Sequence, residues 1–205
     1  MAGRCRIKGT TCLLLGLIVL LPASARAQRL ETGFFFTYAF LEEIGSNDHE
    51  VGTSTAGFGG RVAWHLLPFV DVDGELTVHP PAGFSGYRVQ GFAGAKAGAR
   101  VSRVGLFVKV RPGFLYFSKD PFGVGRRGAA FPETVWAHSL EPAMDIGGVI
   151  EYFASNAVIV RFDLGETIVH YEPRQVFFSV REPLREVGGF TTRNRQWSFG
   201  VGKRF

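Results

Sequence analysis

From Thr32 to the C-terminus the chain alternates apolar and polar residues, in stretches broken by Gly- and Pro-containing connections. Successive side chains of a strand point to opposite faces, so this alternation predicts strands with one apolar face. The first runs from Thr32 to Leu41, with Phe34, Phe36, Tyr38 and Phe40 on one parity. The second covers Thr55 to Trp64, with Phe58, Val62 and Trp64 opposed to Arg61. The third, Val70 to His79, alternates most cleanly: Val70, Val72, Leu76 and Val78 against Asp71, Asp73, Glu75 and Thr77. The fourth, Val89 to Arg100, sets an alanine row against Gln90, Lys96 and Arg100. The fifth, Val104 to Phe117, sets valines and Leu106 against Lys109 and Arg111. The sixth, Ser139 to Phe153, opposes Leu140, Met144, Ile146, Ile150 and Tyr152 to Glu141, Asp145 and Glu151. The seventh, Val158 to His170, opposes Val160, Phe162, Leu164 and Ile168 to Arg161, Asp163 and Thr167. In the last, Gln196 to Phe205, Trp197, Phe199, Val201 and Phe205 share one parity, and Gln196, Ser198, Gly200, Gly202 and Arg204 the other.

The connections alternate in length. Leu66–Phe69, Val101–Arg103 and Ala154–Ala157 are short; Glu42–Ser54, Pro80–Arg88, Ser118–Ala137 and Tyr171–Arg195 are long. An up-and-down meander of eight strands with every long loop at one end has this signature, and transmembrane barrels sort their loops in this way. The reading is all-β: an eight-stranded antiparallel up-and-down transmembrane β-barrel.

Composition sharpens this. Gly and Pro interrupt every candidate helix within a few residues. The N-terminus is different: Arg4, Arg6 and Lys8 precede the apolar run Cys12–Leu21, then come Pro22 and the small-residue site Ala25-Arg26-Ala27. That order predicts a cleaved export signal over residues 1–27 and a barrel domain over 28–205. Its removal takes away Cys5 and Cys12, so the mature chain has no disulfide, no Cys metal site and no Cys nucleophile. Arg4, Arg6, Lys8 and Arg26 go with it, so the 23 basic residues fall to 19, against 18 acidic ones. The basic balance belongs largely to the leader, and a nucleic-acid partner loses its support.

The terminal strand resembles that of bacterial outer-membrane β-barrels. In that family the last aromatic and the alternating apolar residues before it are read by the barrel-insertion machinery, a role the resemblance gives to Trp197, Phe199, Val201 and Phe205. Lys203 departs from the pattern, and its stem can carry the ammonium out to water. The hairpin Gly59-Gly60-Arg61-Val62-Ala63-Trp64, Pro68, Asp71-Val72-Asp73-Gly74-Glu75-Leu76 and the stretch Arg161-Phe162-Asp163-Leu164-Gly165-Glu166 resemble strands of the small OmpA/OmpX-type barrels and the related outer-membrane β-barrel domain family. The resemblance implies an outer-membrane location, with membrane lipid, lipopolysaccharide and the insertion machinery as partners, a monomer and no cofactor.

In such a barrel the polar parity faces the lumen. It collects Asp71, Asp73, Glu75, Lys96, Arg100, Lys109, Arg111, Glu141, Asp145, Glu151, Arg161, Asp163 and Arg204. Acids dominate the third and sixth strands and bases the fourth and fifth, so sequence neighbours carry opposite signs. Eight strands leave a lumen just wide enough for its own side chains, and unpaired buried charge is costly. The expectation is therefore a salt-bridge plug, with a narrow channel or a catalytic carboxylate set as alternatives. The function expected is an outer-membrane surface protein with a structural or loop-mediated binding role. A soluble lipocalin-like barrel binding an apolar ligand is the other alternative, and it demands the apolar rows inside.

Catalytic chemistry finds little support. Barrels of this size include lipid A deacylases and palmitoyltransferases using Ser, His and an acid, and His138, Ser139 and Glu141 supply those types. Adjacent strand residues face opposite ways, so His138 and Ser139 are poorly placed as base and nucleophile. His79, His138 and His170 fall at strand ends, but no tight spacing marks them as a metal site; they read as interfacial aromatics. The basic loop Gly123–Gly128 is expected to meet lipopolysaccharide phosphates. The loop aromatics Phe84, Tyr87, Phe131, Trp136, Phe177, Phe178 and Phe190 are expected at the interface or in an extended hairpin that includes Gln175–Val180.

Overall fold

The computed structural model describes residues 30–41, 53–81, 86–119, 124–125, 134–135, 138–176 and 185–205. Its strands, in chain order, are β1 (Leu30–Leu41), β2 (Thr53–Leu67), β3 (Val70–His79), β4 (Arg88–Val101), β5 (Val104–Phe117), the short β6 (Val124–Gly125) and β7 (Thr134–Val135), β8 (Ser139–Phe153), β9 (Val158–Tyr171), the short β10 (Arg174–Val176) and β11 (Arg185–Val187), and β12 (Phe190–Arg204). The eight long strands pair antiparallel with their neighbours, and β12 closes on β1, giving one barrel in the order β1-β12-β9-β8-β5-β4-β3-β2. The closing ladder runs from Glu31↔Arg204 to Phe40↔Arg195. Closure removes the free sheet edges that lipid cannot hydrogen-bond. Among the described residues no helix is long and apolar enough to cross a membrane.

The three short connections close as tight turns. At Val101–Val104 the turn places Ser102 at φ 56, a left-handed conformation that only a short turn demands of a serine. At the β8–β9 turn the Ser155 hydroxyl accepts the amides of Ala157 (3.2 Å) and Val158 (3.0 Å). All long connections leave from the opposite end. There the short strands form a second sheet in the order β11-β10-β6-β7; of the Gln175–Val180 stretch, Gln175 and Val176 lie in β10 and the rest lies outside the described residues.

The outer wall is apolar and the lumen polar. Phe34 is 82% exposed and Leu76 55%, while Asp73 is fully buried. Val72 and Leu76 face out and Asp71, Asp73 and Glu75 face in. A soluble barrel needs the reverse, so the lipocalin-like alternative fails on this surface. Aromatic rings gather toward the long-loop end: Tyr38 stacks on Trp197 at 5.8 Å and meets Phe40 edge-on at 5.1 Å, and Tyr116 lies between Tyr87 and His138. Such belts mark the boundaries of a membrane-spanning band.

β3, β5 and β8 have the bounds their alternation predicts, but β12 starts at Phe190 rather than near Gln196. Thr191, Arg193 and Arg195 face out there while Thr192 and Asn194 face in. Both faces are polar, so the periodicity that identifies a strand is lost. The predicted leader, most of the Gly123–Gly128 loop, and Phe84, Phe131, Trp136, Phe177 and Phe178 lie outside the described residues.

Candidate functional site

The lumen gathers most of the predicted charges. β3 brings in Asp71, Asp73 and Glu75, β4 Lys96, β5 Lys109 and Arg111, β8 Asp145 and Glu151, and β9 Arg161 and Asp163, all buried. Each is there because it sits on the parity opposite the lipid-facing row of its strand.

Asp73 is the centre of this network. Its Oδ2 accepts Arg161 Nη2 at 2.7 Å and Arg111 Nη1 at 3.3 Å. β3 and β9 stand on opposite sides of the ring, so the Asp73–Arg161 contact spans the whole lumen. Arg161 also forks onto Asp163, with Nε and Nη2 each at 2.8 Å. Arg111 binds Asp145 through Nε (2.8 Å) and Nη2 (2.5 Å), and its Nη1 reaches Glu75 at 2.9 Å. Lys109 lies between Asp145 (3.0 Å) and Asp163 (3.2 Å). Lys96 pairs with Asp71 at 3.0 Å, contacts Glu151 and sits 4.5 Å from the Phe107 ring centre. Asp71 also meets His65. Charge-assisted and forked pairs of this kind are the stronger hydrogen bonds available to a protein.

The neighbour pairs expected from the sign of each strand are present as Lys96–Asp71 and Arg111–Asp145. Contacts that skip strands, such as Lys96–Glu151 and Arg161–Asp73, are the addition. Sequence reasoning also missed the buried pair Glu31–Arg61 at 3.4 Å, although Arg61 was on the inward parity. Space for it comes from facing glycines: a Cβ on Gly202 would lie 3.1 Å from Glu31 Oε1, and one on Gly33 would lie 3.2 Å from Arg61 Nε.

Three expected members lie apart from these pairs. Arg100 and Arg204 are at the short-turn mouth, with guanidinium carbons 3.5 and 4.8 Å from the Phe153 ring centre. Arg100 is exposed there and donates to the Ser102 carbonyl at 3.1 Å. Both sit where β4 and β12 run out of the lumen, and neither forms an ion pair with a carboxylate among the described residues. Glu141 is buried toward the long-loop end and has contacts of its own. That end differs in another way. The inward face there carries an apolar cluster, Phe92, Leu115, Phe117, Val169 and Tyr171, and neutral polar side chains. Gln90 Nε2 donates to Gln196 Oε1 at 3.3 Å, and β4 and β12 also face each other across the ring.

The remaining sequence candidates separate. His79 is buried inside the lumen, which corrects its reading as an interfacial aromatic, while His170 is on the outer face against Thr191 at 3.2 Å. His138 is exposed and Ser139 takes the inward parity. Trp197, Phe199, Val201 and Phe205 all face outward, and the Lys203 ammonium lies 4.9 Å from the Phe205 ring centre. The wall between β9 and β12 also bears Glu166, Arg193 and Arg195, which the sequence reading left unassigned; Glu166 and Arg195 are register partners.

The closed ring of eight antiparallel strands, apolar outside and charged within, defines the class: an eight-stranded β-barrel of the transmembrane type. Solved structures place it more narrowly, with the fold of the small outer-membrane barrels. The chain is similar to the N-terminal β-barrel domain of Pseudomonas aeruginosa OprF, at 12% identity over 88% of this chain and 100% of that one, with a TM-score of 0.51. It is similar to Ail, the attachment invasion locus protein of Yersinia pestis, solved with the heparin analogue sucrose octasulfate, at 12% identity over 88% of this chain and 100% of that one, with a TM-score of 0.53. No protein-family model and no curated protein matches the sequence.

Proposed function

We propose that the protein is a bacterial outer-membrane surface barrel, non-enzymatic, whose lumen is plugged by its own ion pairs and whose long connections act as the binding surface. The observation that carries this reading is the Asp73–Arg161 contact, which joins opposite walls at mid-lumen. A barrel of this size holds little more than its side chains, and the Asp73–Arg161 contact crosses the space that an ion would have to pass. Trp197, Phe199, Val201 and Phe205 form the outward row that the insertion machinery would read. The outward Arg193 and Arg195, together with the basic loop at 123–128, favour contact with lipopolysaccharide phosphates at the long-loop end. One similar barrel, Ail, is an attachment invasion locus protein solved with a heparin analogue.

Planar-bilayer recording tests the plug. The folded protein is expected to be electrically silent, and steps of conductance are expected when Asp73 and Arg161 are both replaced by alanine. A steady open conductance from the unaltered protein, unchanged by that double replacement, would show the narrow channel instead.

A further inference from the structure

Arg88 opens β4 and points into the lumen at the long-loop end, only 4% exposed. A guanidinium keeps its charge at any physiological pH. Arg61, Lys96, Lys109, Arg111 and Arg161 each have a carboxylate partner. Arg88 has none among the described residues, and its Nε and Nη2 are buried without a hydrogen-bond acceptor. The carboxylate at this end of the lumen, Glu141, has contacts of its own.

Nε and Nη2 form one edge of the guanidinium fork, the edge that matches two oxygens of a carboxylate or phosphate. The surroundings suit the same guest. His79 is the register partner of Arg88 on β3, and its imidazole packs over Gly57 of β2. Thr77 Oγ1, Thr192 Oγ1 and Gln196 Nε2 are buried without partners on the inward faces of β3 and β12. Two residues deeper on β4, the Gln90–Gln196 bridge crosses the lumen. Beyond it lies the carboxylate-rich network, which repels an anion. An anion is therefore held off from the short-turn side of the lumen.

We propose that the long-loop end of the lumen binds an oxyanion, a carboxylate or phosphate group, held by the free fork edge of Arg88, with His79, its register partner, beside it. The proposal rests on the lumen's side chains alone and stands whether or not the loops bind anything.

The test uses the full mature chain folded in detergent. Its urea midpoint is measured against sodium phosphate and, separately, sodium acetate, with chloride holding ionic strength constant. A saturable rise is expected in at least one arm, and the stronger arm identifies the preferred group. Arg88→Met should give a flat response in both. In chloride alone it should be no less stable than the parent, because it removes an unpaired buried charge. If Arg88→Met does not fold, the NMR resonance of the Arg88 Nε–H group in the parent decides: it should move saturably with phosphate or acetate. An unchanged midpoint together with an unmoved resonance overturns the proposal, as does an equal rise in Arg88→Met.

Discussion

The two halves of the lumen solve the same problem differently. Toward the short turns, charge is dense and shared: Asp73 serves two arginines, Asp145 serves Arg111 and Lys109, and Asp71 serves Lys96 and His65. Toward the long loops, an apolar cluster and neutral polar groups predominate, Glu141 is the carboxylate with contacts of its own, and Arg88 forms no ion pair among the described residues. Burying a charge is tolerable only when partners are close and well oriented. The inner half meets that demand with its own side chains. The outer half, next to the mouth, leaves a cation for something else to satisfy. The comparison separates the part of the barrel that holds itself shut from the part fitted to receive a guest.

The largest expected effect breaks the inner half. Asp73→Asn removes the charge that joins β3 to β9, but Arg161 keeps Asp163, and Arg111 keeps Asp145 and Glu75. The loss should therefore fall at the low end for a broken buried pair, about 3 kcal/mol in a urea titration of detergent-folded protein followed by gel shift. A double-mutant cycle of Asp73→Asn with Arg161→Met comes next. Groups in direct contact should couple by about 0.5–3 kcal/mol, and additive losses would mean that the two walls are not joined there. The smallest effect belongs to the outer half. Thr192→Val replaces a hydroxyl that has no partner, so the same titration should move by no more than about 1 kcal/mol, toward greater stability if at all.

Much of this was legible in the sequence, and the reason is local. On β3 the parity of Val72 and Leu76 against Asp71, Asp73 and Glu75 assigns each side chain to lipid or lumen without any knowledge of the fold. Sign alternation between adjacent strands was enough to anticipate that the third strand would meet the fourth and the fifth the sixth in charge, and Lys96–Asp71 and Arg111–Asp145 are the pairs that form. Parity gives a face and not a partner, however. Lys96–Glu151 and Arg161–Asp73 depend on the stagger of the closed ring, which no single strand encodes. Glu31 and Arg88 were missed because each lies just outside the predicted strand bounds, Glu31 before the first strand and Arg88 at the end of a connection. The outer half of β12 escaped because Thr191–Arg195 is polar on both faces. The charges Glu166, Arg193 and Arg195 face outward, against the pattern that identified every other strand.

The central claim is that the Val72/Leu76 side of the wall meets hydrocarbon. Both cysteines, Cys5 and Cys12, lie in the predicted leader, so a cysteine introduced into the mature chain would be its sole thiol. Leu76→Cys and Thr77→Cys are adjacent on β3 and face opposite ways. In vesicles, a membrane-dissolved maleimide should label the thiol at position 76 rapidly and leave the thiol at position 77 intact. Rapid labelling at 77 by that reagent, with 76 modified only by a water-soluble one, would contradict the account.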